Sequence, residues 1–334
     1  MGITFPTAII FTSEVVKSSH RETGPVLINL ACSFAEIGVA TLSYLTLTTI
    51  GWRWFIIMCA APLLPCFLLL ALVIPESPRY LIASGKDEDA RKAVEWMAKM
   101  NKVELPENKS IIVHQDQDLG AISELFKPKY RKETVLLSII FFGMLLIMFG
   151  SVLFIPLALY SNFCGASAGA PKHECVHIKK ESLLQLVLVT TGSVFGLLAG
   201  FFLAKKIGRS ISLKIMSILN LCTILLLFKC FSQFGTVITF LFVKFFAIGT
   251  NMITLIIVPE LYPTSFRNAA MGFINSCGKF GGAIGAGLVY FLFYISPYYV
   301  LGMFAGAALL VVLCSLLYNK ETKDVTLQDV SDPR

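Results

Sequence analysis

Three charged side chains stand inside long apolar runs, and each could meet a charged solute: Glu36, Lys244 and Lys279. A charge in the middle of a bilayer-spanning helix is costly, so by default it marks a pathway or a partner. Lys279 lies in Ser276-Cys-Gly-Lys-Phe-Gly-Gly282, whose glycines permit close helix approach. Two lysines facing one cavity would favour an anionic solute. The alternatives are plainer: Lys244 is close enough to a helix start to snorkel, and Glu36 could simply pair with a neighbouring helix.

Cysteine supplies a second candidate. Cys164 and Cys175 fall in a polar loop with His173 and His177, and a disulfide fits them if that loop faces an oxidising compartment. Zinc is the weaker reading, because no second ligand pair follows and an exposed loop fixes no geometry. No metal, cofactor or nucleic-acid partner is expected. Nor is an enzyme, since the chain has no Walker A loop, no HExxH and no Gly-x-Ser-x-Gly elbow.

The elements that must position these residues are apolar helices. The 334-residue chain is 56% hydrophobic and 15% charged, outside the range of ordinary soluble domains. About 20 apolar residues cross the hydrocarbon core, and a helix satisfies its own backbone while doing so. The expected fold class is therefore all-α, a polytopic membrane protein in contact with the lipid bilayer. Nine spans are predicted, near residues 2–17, 25–49, 54–74, 135–160, 182–204, 211–231, 236–258, 268–292 and 298–318. Lys214 and Lys229 bracket the sixth, and Ser296-Pro297 breaks the last long run. Tyr290, Phe291, Tyr294, Tyr298 and Tyr299 cluster there, and read as an interfacial belt rather than a stacking site.

Four segments follow: helices at 1–74, a polar linker at 75–134, a six-helix bundle at 135–318 and a tail at 319–334. In the linker, Ser84-Gly85-Lys86-Asp87-Glu88-Asp89 starts a helix with Ala90, Val94 and Met97 on one face. If residues 75–134 are cytosolic, alternation places 20 of the 28 Lys and Arg on that side and 4 on the other. The excess makes the C-terminus cytosolic and explains the net charge of +7 without nucleic acid. Asn108, in the one glycosylation sequon, is then unmodified. An outward Met1 without a leader-like n-region suggests a chain that begins partway through a larger protein.

Pro75-Glu-Ser-Pro-Arg79 after Gly51-Trp-Arg-Trp54, Lys206-Ile-Gly-Arg209, Pro259-Glu-Leu-Tyr-Pro-Thr-Ser-Phe-Arg267 and Glu321-Thr-Lys323 occur in an order that resembles the major facilitator superfamily. Glu124-Leu-Phe-Lys-Pro128, Tyr160-Ser-Asn-Phe-Cys164 and Leu184-Gln-Leu-Val-Leu-Val-Thr-Thr191 resemble its synaptic vesicle 2-related and organic ion transporter branch. The resemblance implies twelve helices in two bundles, of which this chain would hold helices four to twelve. It implies secondary transport of a small organic solute, with ions the expected class and an anion one form of it, in a vesicle or plasma membrane. The alternative is a non-transporting vesicle protein, or an inactive fragment that keeps the fold.

The resemblance also assigns residues. Glu14 and Arg21 match the acidic and basic positions after the fourth helix, and Arg209, Glu260 and Arg267 their counterparts in the second half. Such clusters would form a gating network, and the plainer reading makes the arginines positive-inside anchors. Organic anion carriers have a basic residue where Lys279 stands, and the vesicle proteins one at Lys244. One departure stands out: Lys205 occupies the position that is Asp in the family's Asp-x-x-Gly-Arg pattern.

Overall fold

The protein is described from a computed structural model, over residues 23–83, 85–102, 122–161, 179–229 and 231–322. The expected span at 2–17 lies outside these residues, as do Glu14, Arg21, Asn108, Cys164, Cys175 and both loop histidines. The described residues form helices and no strands: α1 (Thr23–Thr46), α2 (Trp52–Ala60), α3 (Leu63–Val73), α4 (Pro78–Ala83), α5 (Asp87–Asn101), α6 (Arg131–Ser161), α7 (Lys180–Ile207), α8 (Arg209–Leu226), α9 (Gln233–Leu261), α10 (Thr264–Ile295) and α11 (Pro297–Leu317). A 3-10 turn, Ile122–Phe126, precedes α6. Eight stretches of the described residues are long and apolar enough to cross a membrane.

Local sequence explains the breaks. The span expected at 54–74 is two helices, because Pro62 lacks an N–H and disfavours helical backbone at Ala61. Ser296 separates α10 from α11, its hydroxyl accepts from the Tyr298 N–H, and Pro297 takes the first helical position, where its missing donor costs nothing. In α5, Asp87, Glu88 and Asp89 occupy the first turn and favour the positive end of the helix dipole.

Internal contacts divide the chain into two compact units. In the first, which includes Ile56–Leu119, α4 and α5 pack through Leu81, Ala90 and Ala93. The second comprises Pro25–Phe55 and Gly120–Arg334. Its bundle is assembled from helix pairs, α6 with α10 and α7 with α9, while α8 and α11 complete the ring.

Lipid tails are as apolar as leucine, so these helices gain little by hiding from solvent and must associate by close packing. Glycine makes that contact possible. Gly192, Gly196 and Gly200 share one face of α7 and lie against the backbone carbonyls of Leu241, Phe245 and Gly249 in α9. On α10, Gly281 and Gly285 meet the carbonyls of Phe142 and Leu146 in α6 the same way. Between these seams Phe154 packs edge-on against Phe240, Phe293 and Phe304. The outer faces keep Phe195, Phe202, Phe234, Phe280 and Phe291 exposed, as a lipid-facing surface requires. Tyr290 and Tyr294 are exposed at the end of α10, with hydroxyls 3.1 Å apart.

A Cβ at Gly196 would sit 2.1 Å from the Phe245 carbonyl oxygen, whereas one at Gly287 meets nothing within 4 Å. Gly196→Ala is therefore expected to cost about 1–3 kcal/mol by forcing the helices apart. Gly287→Ala should be neutral or slightly stabilising. Thermal unfolding of both variants in one detergent checks the difference, and equal melting temperatures would contradict the packing.

Candidate functional site

The middle of α1 carries the first site. Val26, Ser33, Ala40 and Ser43 are buried along one face of that helix, and Glu36 shares it. Across from it stand α7 and α9. Lys244 Nζ lies 2.6 Å from Glu36 Oε1, and Ser193 Oγ donates to Glu36 Oε2 at 3.0 Å. The Lys244 side chain is 4% exposed and that of Glu36 is 31% exposed. Lys244 therefore does not reach an interface, and its charge is met by a carboxylate 208 residues away in sequence.

The pair borders a cavity of about 220 Å³, lined by Glu36, Val39, Ala40, Ser43, Phe55, Ser151, Val152, Ile155, Pro156, Leu186, Thr190 and Lys244. Apart from the two charges its walls are apolar or hydroxyl-bearing. The hydroxyls of Ser43, Ser151 and Thr190 each donate to a carbonyl of their own helix. Such a cavity can hold a small solute and offers it one strong acceptor and one strong donor.

Lys279 occupies a different setting. Its ammonium lies 5.1 Å from the centre of the Phe149 ring, and it is not among the lining residues. The two lysines are thus not brought to one wall of this cavity.

The second site gathers where α7, α8 and α9 end or begin. Arg209 is held by Glu260 through both arms of its guanidinium, Nε to Oε2 at 3.1 Å and the NH2 nitrogen to Oε1 at 2.7 Å. The side chains are 7% and 12% exposed, and the fork geometry suits a buried pair. Arg267, the third expected member, donates from Nε to the Tyr262 carbonyl at 3.2 Å.

Sequence reasoning missed how the chain end straps this cluster together. Ser210 Oγ donates to the Tyr318 carbonyl, Lys214 to Asn319, and Lys320 pairs with Glu133 at 3.0 Å. Thr322 donates to Glu260, whose carboxylate it shares with Arg209. Glu321 accepts from the backbone N–H groups of Arg209 and Ser210 at 2.7 and 3.2 Å. Those are donors that the first turn of α8 cannot satisfy internally. The capping carboxylate therefore comes from the far end of the chain, while Lys205, at the position where the family has Asp, ends α7 as a basic residue. Gly208 is what admits it: its φ is +115°, and a Cβ there would lie 2.7 Å from Glu321 Oε2.

Beside this cluster Tyr262 OH and Thr134 Oγ1 are 2.8 Å apart, and Thr134 also donates to the Leu125 carbonyl at 3.1 Å. Burial pushes the Tyr262 phenol up to about 12, the Thr134 hydrogen bond opposing and the Glu133 carboxylate adding to it. Burial likewise raises Tyr318.

Glu260→Gln leaves the Arg209 charge buried without its counter-ion and is expected to destabilise by about 3–5 kcal/mol. Glu321→Ala loses the cap alone, at roughly 1 kcal/mol. Replacing Arg209 and Glu260 together by Met and Leu should recover much of the first loss. Denaturant unfolding of the purified variants measures all three, and a Glu260→Gln variant as stable as the parent would contradict the buried pair.

The Sugar (and other) transporter family profile matches residues 1–332. The chain is 28% identical to the synaptic vesicle 2-related protein of Rattus norvegicus over 334 residues, 98% of this chain and 60% of that one. It is 26% identical to organic cation/carnitine transporter 7 of Arabidopsis thaliana, over 81% of this chain and 61% of that one. It thus spans about 60% of the length of these relatives. The structure is similar to a partially occluded inward-open conformation of the xylose transporter XylE from E. coli, with a TM-score of 0.60 at 17% identity, over 96% of this chain and 68% of that one. These relatives are named as transporters or as a vesicle-related protein, not as enzymes. A second structure with a similar fold, at 18% identity and a TM-score of 0.55, is that of a major facilitator superfamily proton:xylose symporter. The chain is a multi-pass membrane protein and belongs to the Sugar (and other) transporter family.

Proposed function

We propose that the protein is a secondary transporter that moves a small organic ion across the bilayer by alternating access between two helix bundles. The observation that carries this reading is the cavity at mid-span with Glu36 and Lys244 in its wall. A spanning helix keeps an ionisable group at that depth where it serves a pathway, and carriers of this fold class hold solute near the midplane. Residues 1–74 belong to the first bundle, 75–134 to the linker, 135–318 to the second bundle and 319–334 to the tail. Without a nucleotide-binding loop, the driving force is an ion or solute gradient.

The distribution of basic residues supports a cytosolic linker and C-terminus. On that side Arg209, Glu260 and the strap from Tyr318 to Thr322 form half of a gate, with Arg267 beside them and Glu14 and Arg21 as the corresponding half. An ion pair at a moving interface has two discrete states, made and broken, which is what a gate needs. The vesicle in the relatives' name supports a vesicle membrane. Lys279 is outside the lining of this cavity, and the reading gives it contact with an anionic group of the solute in another state of the cycle.

Counterflow in proteoliposomes tests the reading. Liposomes preloaded with a charged solute should take up the labelled form in excess of protein-free liposomes, saturably and without ATP. Lys279→Gln should slow uptake of solutes bearing an anionic group with membrane insertion unchanged. Uptake at the protein-free level across charged and neutral solutes would refute transport, and unchanged kinetics in the variant would remove Lys279.

A further inference from the structure

We infer that the solute held at this cavity is a small zwitterion, one carrying a carboxylate and an ammonium group on a short apolar frame. The inference rests on the proposed transport reading for the cavity's purpose, and on its geometry for the class of occupant.

A solute with a single charge faces a difficulty here. An anion that draws Lys244 away leaves the Glu36 carboxylate without its cation in an apolar wall, and a cation that takes Glu36 strands the 4%-exposed Lys244. Losing one partner of a buried pair costs far more than exchanging both for others. A zwitterion exchanges both. Its carboxylate meets Lys244, its ammonium meets Glu36, and four alternating charges replace two.

The hydrogen-bond capacity for this is present. Each Glu36 oxygen accepts one hydrogen bond, Oε1 from Lys244 and Oε2 from Ser193, and a carboxylate has about four acceptor sites. Lys244 has three donors, one of them on Glu36, and no other hydrogen-bond partner for it is found among the described residues. The more exposed carboxylate stands at the accessible side and the ammonium lies deeper, so the solute would enter with its carboxylate leading.

Size and wall chemistry narrow the class. A volume of about 220 Å³ corresponds to roughly seven waters of liquid, room for a compact solute. Val39, Ala40, Val152, Ile155, Pro156 and Leu186 suit methylene groups. They do not suit a polyol, whose hydroxyls would lose hydrogen bonds to water with few made in return.

The test uses solutes of one frame that differ only in charge. Purified protein in lipid nanodiscs is titrated with γ-aminobutyrate, butyrate and butylamine, with glycine and β-alanine to vary the charge spacing and xylose as the neutral polyol. At least one zwitterion should raise the melting temperature, with an affinity about tenfold or more above both mono-ions of the same frame. Glu36→Gln should move the preference to butyrate and Lys244→Gln to butylamine. The Glu36→Gln/Lys244→Gln double variant, which keeps the shape and strands no charge, should fold and bind none of the ions. Butyrate, butylamine or xylose binding as tightly as every zwitterion would overturn the inference, and so would no shift with any of them. A zwitterion that binds but shows no counterflow would uphold the inference and refute transport. Counterflow of a mono-ion alone would do the reverse.

Discussion

The contact between Glu36 and Lys244 governs how the long helix Thr23–Thr46 joins the bundle. That helix offers its neighbours small residues, Ser33, Ala40 and Ser43, and leaves Leu27, Phe34, Val39 and Leu45 exposed. Small side chains allow approach but bury little, so the ion pair and the Ser193 hydrogen bond supply the strong part of the contact. Lys244 is buried and the walls around the pair are largely apolar, so the two charges hold each other unless a ligand replaces one of them. One interaction therefore positions α1, neutralises Lys244 and sets the charge pattern of the cavity.

The remaining helices are joined by a different means. The glycine seams of α7 on α9 and of α10 on α6 bring backbones together with almost no side chain between them. Contacts of this kind are rigid. A protein that must rock between states needs rigid bodies as well as breakable links, and the two kinds of contact are segregated here. The breakable ones, Glu36 with Lys244 and Arg209 with Glu260, join helices that the glycine seams do not lock. The strap of Tyr318–Thr322 ties the start of α8 to the end of α11, so movement of either is felt at the Glu260 carboxylate.

Much of the fold was legible because apolar length and charge placement are local properties. The spans at 25–49 and from residue 135 onward, the helix at Asp87–Asn101 and the break at Ser296-Pro297 could all be read from runs, caps and proline. Pro62 was legible too, but its effect was masked by the unbroken hydrophobicity of residues 54–74. Long-range pairing was not legible. Nothing near Glu36 announces Lys244, since the two share no local pattern and only the packing of α1 on α9 unites them. Lys279, with Lys244 as a second candidate, was expected to meet an anionic solute. A side chain's direction on a helix fixes which wall it joins, and on that basis Lys279 turns to Phe149. Glu321 was noted as part of a motif, yet its role as the cap of α8 appears only once the chain end has folded back.

The most direct test of this account is a double-mutant cycle on Glu36 and Lys244, using Glu36→Gln, Lys244→Met and the pair together, with unfolding followed in lipid nanodiscs. A real buried pair predicts a coupling energy of about 1–3 kcal/mol, with the double variant more stable than the single losses would sum to. Strict additivity would mean that the two side chains do not meet in the membrane, and the account of the cavity would fall with them.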